Sequence, residues 1–561
     1  MKKLINKPAD VVREMLEGSV LAAPGQTLLA DENVVVQSRL PKPALRKVSV
    51  ISGGGSGHEP AHAGYVGTGM LTAAVAGDVF TSPSADAVLA AIRASSGPAG
   101  ALLIVKNYTG DRLNFGLAAE MARAEGIPVE VVVVADDVAL SKTVEKSRRR
   151  GIAGTVLVHK IAGAAAAKGL KLTAVAKLAR AVAAQLGSMG VSLGPCTLPQ
   201  AAKPNFELAA DEIELGLGIH GEPGVEKAKM AAAASLVQLV LTAIIADLKI
   251  KRGARVALVA NGLGSTPPME LSVVLRDALA MLSKAGIVVE RAWCGTLLSA
   301  LDMPGFSLSL LPLEKTMLSL LDAPTEAPAW PGSGKLNAAP VQRPPQRKAS
   351  AATKRKVPHA AGKPIRALAL AAARALSAAE SRLTDLDAKA GDGDLGASMA
   401  RAALAIRKLP EAAWGKPGET LQELGQTLRR AIGGSSGPFY ATALMRAARS
   451  LPEKPKALDW SRAFSAAVAV ISELGGAKPG DRTMVDALAP AAAAFEKAVT
   501  SGVALPEAWS KAVQAARAGA EATTKMKPRL GRASYLGNRA IGVEDAGAAA
   551  VVCWMEALER R

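Results

Sequence analysis

The sequence predicts an α/β N-terminal half built from two α/β subdomains, followed by an all-helical C-terminal domain. Three observations carry that expectation. Up to about residue 325, short continuous apolar runs alternate with amphipathic or alanine-rich stretches, the pattern of strands buried on both faces beneath outer helices. Between about Thr325 and Lys363 the periodicity disappears and Pro, Ala, Ser and Lys take over, as in a solvated linker. Beyond it, alanine-rich helical segments follow one another, alanine being the best helix former.

In the first half, RKVSVIS (46–52), ALLIVK (101–106), VEVVVV (129–134), TVLVHK (155–160) and ARVALVA (254–260) read as strands. The glycine- and proline-rich region 187–224 separates two strand sets, dividing this half into about 1–190 and 191–325. The most apolar helix candidate, MAAAASLVQLVLTAIIADL from Met230, is interrupted by Ser235 and Gln238 and preceded by Glu226, Lys227 and Lys229. It reads as a buried core helix, not a membrane span. After a linker at 326–363, the domain 364–561 is expected to hold seven or eight helices, at roughly 364–386, 397–408, 418–431, 438–450, 459–474, 482–500, 505–523 and 543–559.

A chain of 561 residues is too long for one core, which agrees with two or three domains. Its three cysteines, Cys196, Cys294 and Cys553, fall in no CxxC or metal spacing, so a disulfide framework or zinc site is not expected and a reducing cytoplasm fits best. The N-terminal apolar runs are broken by Lys7, Asp10, Arg13 and Glu14, which argues against an export signal. Part of the net charge of +19 is local: eight Lys or Arg and no acid lie between Gln342 and Arg366. With only 3% aromatic residues there is little to stack bases on, so nucleic acid is not an expected partner.

Four constellations carry chemistry. In ISGGGSGHEPAHAGYVGTGML (51–71), consecutive glycines directly after a strand let the backbone approach a small ligand, with His58 at the end of the run; the alternative is a plain glycine turn with a satisfied histidine. In IVKNYTGDRLNFG (104–116), a strand ends at Lys106 and Asp111 lies in the loop before the next helix, where ligand sites of α/β sheets are found; by itself Asp111 reads equally as a helix N-cap. In GLGIHGEPG (216–224), His220 stands between glycines that leave its ring uncovered, either as a nucleophile toward a small carbonyl compound or as a turn cap.

The strongest local signal is LDAKAGDGDLGASMARA, with Asp387, Asp392 and Asp394 around a glycine turn. Carboxylates ~4 Å apart repel by on the order of 4 kcal/mol per pair at an effective dielectric of about 20, so such a cluster calls for a cation. The spacing is not that of an EF-hand; few protein ligands and an open flank suit Mg²⁺ shared with phosphates, the alternative being solvated acids. The loops IGGSSGPFYATAL (432–444), KPGDRTMVDAL (478–488) and GRASYLGNRAIGVEDAG (531–547) open onto helices, whose N-terminal amides bind anions, or they simply cap those helices.

Taken in order, GGGSGHEPAHAGYVGTGML, VFTSPSAD, KNYTGDRLNFG, GIHGEPG, NGLGSTPPMEL and LDMPGFSLSLL resemble the substrate domain of the ATP-dependent dihydroxyacetone kinases. LDAKAGDGDLG, GGSSGPFYATAL, GDRTMVDAL and GRASYLGNRAIG resemble the nucleotide domain of that family, here fused in one chain. The resemblance implies a barrel-like helical nucleotide domain and a covalent hemiaminal between His220 and the ketone carbon of dihydroxyacetone. It implies that Asp111 takes the hydroxyl proton and His58 orients that hydroxyl, with Gly55, Ser56, Gly57 and Lys106 lining the pocket. It further implies two Mg²⁺ ions on Asp387, Asp392 and Asp394, and ATP bound at Leu395, Gly396, Ala397, Ser398, Ser435, Ser436, Gly475, Met484, Arg532 and Asp545. A homodimer with catalysis between subunits is expected on the same basis. Ala546 departs from the pattern, which has proline there. The rival readings are a kinase for erythrulose or glyceraldehyde, FAD-cleaving cyclase activity on the same scaffold, and a non-enzymatic ketose sensor, the last disfavoured because Asp111 and the metal acids are all present.

Overall fold

The computed structural model describes residues 2–560 except 202, 205, 223, 339–340, 342–357 and 434–435, with the backbone alone at 532. The chain forms two compact units, Met1–Gln342 and Arg343–Arg561.

The first unit holds two six-stranded sheets. One comprises β1 (Gln26–Leu28), β2 (Val34–Gln37), β3 (Ser49–Ser56), β4 (Ala73–Val79), β5 (Ala101–Lys106) and β6 (Val129–Val134) in the order β1-β2-β4-β3-β5-β6. The strands β4, β3, β5 and β6 are parallel, and the runs of β3 and β5 are buried along their whole length. The other comprises β7 (Gly187–Ser192), β8 (Glu212–Leu215), β9 (Glu226–Lys229), β10 (Arg255–Gly262), β11 (Val288–Gly295) and β12 (Gly305–Pro312) in the order β11-β10-β12-β7-β8-β9. There only β10 and β11 pair in parallel.

Eight α-helices cover these sheets: α1 (Val11–Leu21), α2 (Ala85–Ser95), α3 (Thr109–Ala124), α4 (Thr155–Ala167), α5 (Leu172–Gln185), α6 (Ala233–Asp247), α7 (Pro268–Lys284) and α8 (Lys315–Leu321). Helices α2 and α3 pack on one face of the first sheet, α4 and α5 on the other, and α6 and α7 on the second sheet. The strand expected at 155–160 is instead the first half of α4. Twelve of its thirteen residues are buried, so no polar face marks the helical period and its β-branched start mimics a buried strand. Helix α6 is less buried than expected: Leu236, Val237, Val240, Leu241 and Ile244 form its inner face while Leu239 is 39% exposed. The packed unit also continues past Thr325, because Ala327 and Trp330 are buried and the Trp330 ring sits 4.8 Å from that of Trp293.

The second unit is helical. The segment expected at 364–386 breaks at Ala379 into α9 (Gly362–Ala378) and α10 (Glu380–Ala390), so the described residues of this unit hold nine α-helices rather than seven or eight. The others are α11 (Leu395–Arg407), α12 (Pro417–Ala431), α13 (Ser436–Ser450), α14 (Ala457–Gly475), α15 (Val485–Thr500), α16 (Leu505–Ala522) and α17 (Ala546–Glu559). From α11 to α17 each helix packs on the next, α17 packs on α9, and α9 returns to α11 and closes the ring. Short connections from α11 to α16 make neighbours antiparallel, so α11, α13 and α15 start at the same end of this barrel; α17 follows a long connection, 523–545, and its first turn lies beside Met484 at that end. Among the described residues no helix is long and apolar enough to cross a membrane.

Candidate active site

In the first unit the site gathers at the carboxyl ends of β3 and β5 and on the loop between β8 and β9. His58 follows β3 and is fully buried; its Nδ1 donates to the Ser299 carbonyl at 2.9 Å. That tautomer leaves a lone pair on Nε2, which has no hydrogen-bond partner. Burial first, and then the charges of Lys106 and His220, hold this imidazole well below the usual histidine range. Buried neutral, with an unused acceptor, it is equipped to accept a hydrogen bond from a ligand hydroxyl.

Lys106 ends β5 and is also fully buried. Its Nζ donates to His62 Nε2 at 3.0 Å, and burial lowers its pKa against the opposing pull of Asp111, Glu59 and Glu222. Asp111 lies inside the first turn of α3, not in the loop before it, and does not cap that helix. Its Oδ1 accepts from Ser82 Oγ at 2.5 Å. Lys106 and Asp111 flank Gly54: a β-carbon there would stand 2.8 Å from Lys106 Nζ and 3.4 Å from Asp111 Oδ2. Gly55 lies against the backbone of Phe80 and Thr81, Ser56 Oγ donates to the Gly77 carbonyl at 2.7 Å, and the Gly57 amide donates to Glu59.

The His220 ring is not uncovered, as its glycine neighbours suggested. Its centroid lies 4.8 Å from that of His58, 5.1 Å from Phe80 and 4.6 Å from Tyr108, all edge-on, and its side chain is 19% exposed. Nδ1 lies 3.0 Å from Glu222 Oε1, and the His220 backbone amide donates to Glu222 Oε2 at 2.9 Å. Burial would raise the Glu222 carboxyl, but hydrogen bonding and attraction to His220 outweigh it and bring the value to about 2. The structure therefore brings His58, Lys106, Asp111 and His220 together, and adds Phe80, Ser82, Tyr108 and Glu222. All four lie inside motifs quoted for the resemblance, Glu222 in GIHGEPG, Phe80 and Ser82 in VFTSPSAD and Tyr108 in KNYTGDRLNFG, but nothing in the chain singled them out as site residues.

In the second unit, Asp387, Asp392 and Asp394 flank the α10–α11 turn with one carboxylate oxygen of each within 4.8 Å of the others. Asp387 Oδ2 accepts the amides of Asp394 and Leu395 at 2.9 and 3.1 Å, which fixes it at the start of α11. A partly exposed set of hard oxygen donors at a helix N-terminus fits a hard divalent cation that keeps water or phosphate ligands. Leu395, Gly396, Ala397 and Ser398 form the first turn of α11; Gly396 packs against Thr384 on α10, and Ser398 Oγ accepts from Arg401.

Ser436 begins α13, Met484 immediately precedes α15, and Asp545 caps α17 by accepting the Ala548 amide at 2.8 Å. Gly475 ends α14 against the Phe439 ring. Burial raises the Asp545 carboxyl to about 6, and the charges of Asp486 and Asp387 add to the rise; a β-carbon on Gly547, in the first turn of α17, would stand 3.5 Å from Met484 Cβ, so the starts of α15 and α17 share one rim. The backbone at Arg532 lies in a 3₁₀ stretch, and Ser435 lies outside the described residues. Two rim residues escaped the sequence reading. Asp486 accepts the Gly480 and Thr483 amides, and buried Arg482 donates through Nη2 to the carbonyls of Ala540 and Val543, tying its loop to the one before Asp545.

The chain matches the Dak1 domain family over residues 17–329 and the DAK2 domain family over 389–560. It is 43% identical over 575 residues to the human triokinase/FMN cyclase, covering 99% of this chain and 98% of that protein. It is 36% identical over 561 residues to the D-erythrulose kinase of Mycolicibacterium smegmatis, covering 98% and 96%. The crystal structure of the dihydroxyacetone kinase from C. freundii in complex with AMP-PNP and Mg²⁺ is 36% identical, with a TM-score of 0.63 over 100% of this chain and 99% of that one. With both halves matched in order and the same two-part fold, the chain belongs to the dihydroxyacetone kinase family of phosphotransferases.

Proposed function

We propose that this protein transfers the γ-phosphoryl group of ATP to a terminal hydroxyl of dihydroxyacetone or another short ketose, held as a hemiaminal on His220. The observation that carries the reading is the convergence of His220 with His58, whose buried Nε2 lacks a partner, beside Lys106 and Asp111. In this reading His220 Nε2 adds its lone pair to the ketone carbon, the carbonyl π pair moves to oxygen, and that oxygen gains a proton. The bond selects ketones and aldehydes over glycerol. His58 Nε2 accepts from the reacting hydroxyl as the ketose binds and so orients it; in the transfer step that single O–H proton turns to Asp111, which takes it as the hydroxyl oxygen bonds to the γ-phosphorus and the bond to ADP breaks. Gly55, Ser56, Gly57 and Lys106 line the pocket.

Asp387, Asp392 and Asp394 would hold two Mg²⁺ ions, which when bound neutralise phosphate oxygens. Leu395, Gly396, Ala397, Ser398, Ser435, Ser436, Gly475, Met484, Arg532 and Asp545 would receive the nucleotide, helped by the amides of four helix starts. A cytoplasmic homodimer with the two sites meeting between subunits completes the reading. A second activity, nucleotide cyclisation on the helical unit, is favoured by the 43% identity to a protein named for both reactions.

The test is ADP release from Mg·ATP with dihydroxyacetone, erythrulose, glyceraldehyde and glycerol, for wild type and His220→Ala. Ketose-dependent turnover lost in the variant, with none on glycerol, is expected. A wild type inert toward every carbonyl compound would overturn the kinase reading and leave cyclisation as the reaction to assay.

A further inference from the structure

We infer that Glu222 is the positioning residue of His220, holding Nδ1 as the donor so that Nε2 is the nucleophilic atom of the ring. The inference deepens the hemiaminal reading above and rests on it.

A neutral imidazole carries its proton on either nitrogen, and only the other nitrogen has a lone pair to give a carbonyl carbon. Glu222 removes that choice. Its two oxygens are both engaged from one side: Oε1 lies 3.0 Å from His220 Nδ1, and Oε2 accepts the His220 backbone amide at 2.9 Å. A carboxylate only accepts, so Nδ1 must donate. The backbone amide clamps the second oxygen, so the carboxylate cannot rotate away without losing both contacts.

The loop is shaped for this contact. The Gly218 amide donates to the Glu222 carbonyl and the Gly221 amide to the Gly218 carbonyl, folding residues 218–222 into a tight turn. A β-carbon on Gly218 would stand 2.0 Å from Glu222 Oε2 and 2.6 Å from Arg150 Nη1, so only glycine leaves space for the carboxylate. Arg150 anchors the root of the loop, donating to the Gly216 carbonyl at 2.7 Å and to Asp137 Oδ2 at 2.8 Å. This gives the glycines around His220 a second purpose: they admit the carboxylate beneath the ring while His58, Phe80 and Tyr108 set its other sides.

Glu222 also balances the addition. Bond formation through Nε2 leaves the ring cationic until the Nδ1 proton departs, while the former carbonyl oxygen gains a proton. A carboxylate in contact with Nδ1 stabilises the cationic ring and lies where that proton leaves, so the neutral hemiaminal forms with no net gain or loss of protons.

Glu222→Gln tests this with almost no change in volume. If the amide oxygen keeps the backbone contact, the amide NH₂ faces Nδ1, making Nδ1 an acceptor and moving the ring proton to Nε2. If the amide turns over, its NH₂ opposes the backbone N–H. The tautomer is read by ¹⁵N NMR of histidine-labelled protein, and the adduct by the ¹³C signal of [2-¹³C]dihydroxyacetone changing from ketone to tetrahedral carbon. The expected result is a shifted tautomer, an adduct weakened about 10–100-fold, and a ketose KM raised by a similar factor with a smaller change in kcat. An unchanged tautomer with a wild-type adduct would overturn the inference. An adduct that persists in His220→Ala would instead overturn the hemiaminal reading itself. Should Glu222→Gln fail to fold, Gly218→Ala displaces the same carboxylate: equal adduct loss supports its role, and a wild-type adduct overturns it.

Discussion

Ser82 Oγ donates to Asp111 Oδ1 at 2.5 Å, and this one bond fixes the carboxylate at the start of α3 beside Lys106. The acid is thereby held by a residue 29 positions earlier in the chain. Asp111→Asn is expected to lower kcat for ketose phosphorylation by about 10²–10⁴-fold with little change in KM, the usual weight of a general base. Ser82→Ala should lower it by roughly tenfold, since the base remains but loses its orientation. Steady-state ADP release measures both; an Asp111→Asn enzyme with wild-type kcat would end the assignment.

Behind the site, His62 and His159 share Ser52 as a hydrogen-bonding neighbour, and together with His58 they are buried and held below the usual histidine range, His159 at about 3. Burial is the first cause for each, and the Lys106 charge adds to it. An unfolded histidine binds its proton near pH 6.5, so the stability these neutral rings represent is full above that pH and is lost as pH falls below it. Each contributes a slope of up to about 1.4 kcal/mol per pH unit. Hydrogen exchange of the β3 and α4 amides at pH 7.5 and 5.5 should show the first unit weakening, and His159→Leu should remove about a third of the slope. A stability independent of pH across that window would contradict the burial assignment.

At the other site, the three aspartates repel one another in the metal-free protein. Asp387→Asn should therefore raise the metal-free unfolding midpoint slightly while abolishing its increase on adding Mg²⁺. Mg·AMP-PNP affinity measured by calorimetry should fall by about 100-fold or more. A variant that still gains stability from Mg²⁺ would place the metal elsewhere.

Gly396 supplies a packing test. A β-carbon there would meet Thr384 Oγ1 at 2.1 Å and the Glu380 carbonyl at 2.2 Å, so Gly396→Val must push α11 off α10. The expected loss is roughly 3 kcal/mol, read as a lower unfolding midpoint. Because Asp387 and Asp394 ride on these two helices, the Mg²⁺ response should weaken as well.

What was legible in the chain follows from how each signal arises. ALLIVK and VEVVVV became β5 and β6 with the expected bounds, because each is a short continuous run of β-branched and apolar residues in a parallel pair, β5 buried along its whole length and β6 partly exposed at the sheet edge. TVLVHK carries the same local pattern but continues through IAGAAAA into a helix buried on every side, where periodicity has no polar face to mark it. The break at Ala379 was equally silent, since alanine is a good helix former on both sides of it.

The site divides in the same way. His58, Asp111, His220 and the three aspartates announce themselves by residue type among glycines, and the order of motifs along the chain was enough to indicate the family and the two-part architecture. The carboxylate on Nδ1 of His220, the serine on Asp111, the aromatic walls and the Arg482 staple were decided by tertiary structure. Residue type and local spacing are properties of the chain, whereas the tautomer of a histidine, the orientation of a carboxylate and the burial of a charge depend on which groups the fold brings within about 3 Å, the hydrogen-bonding distance.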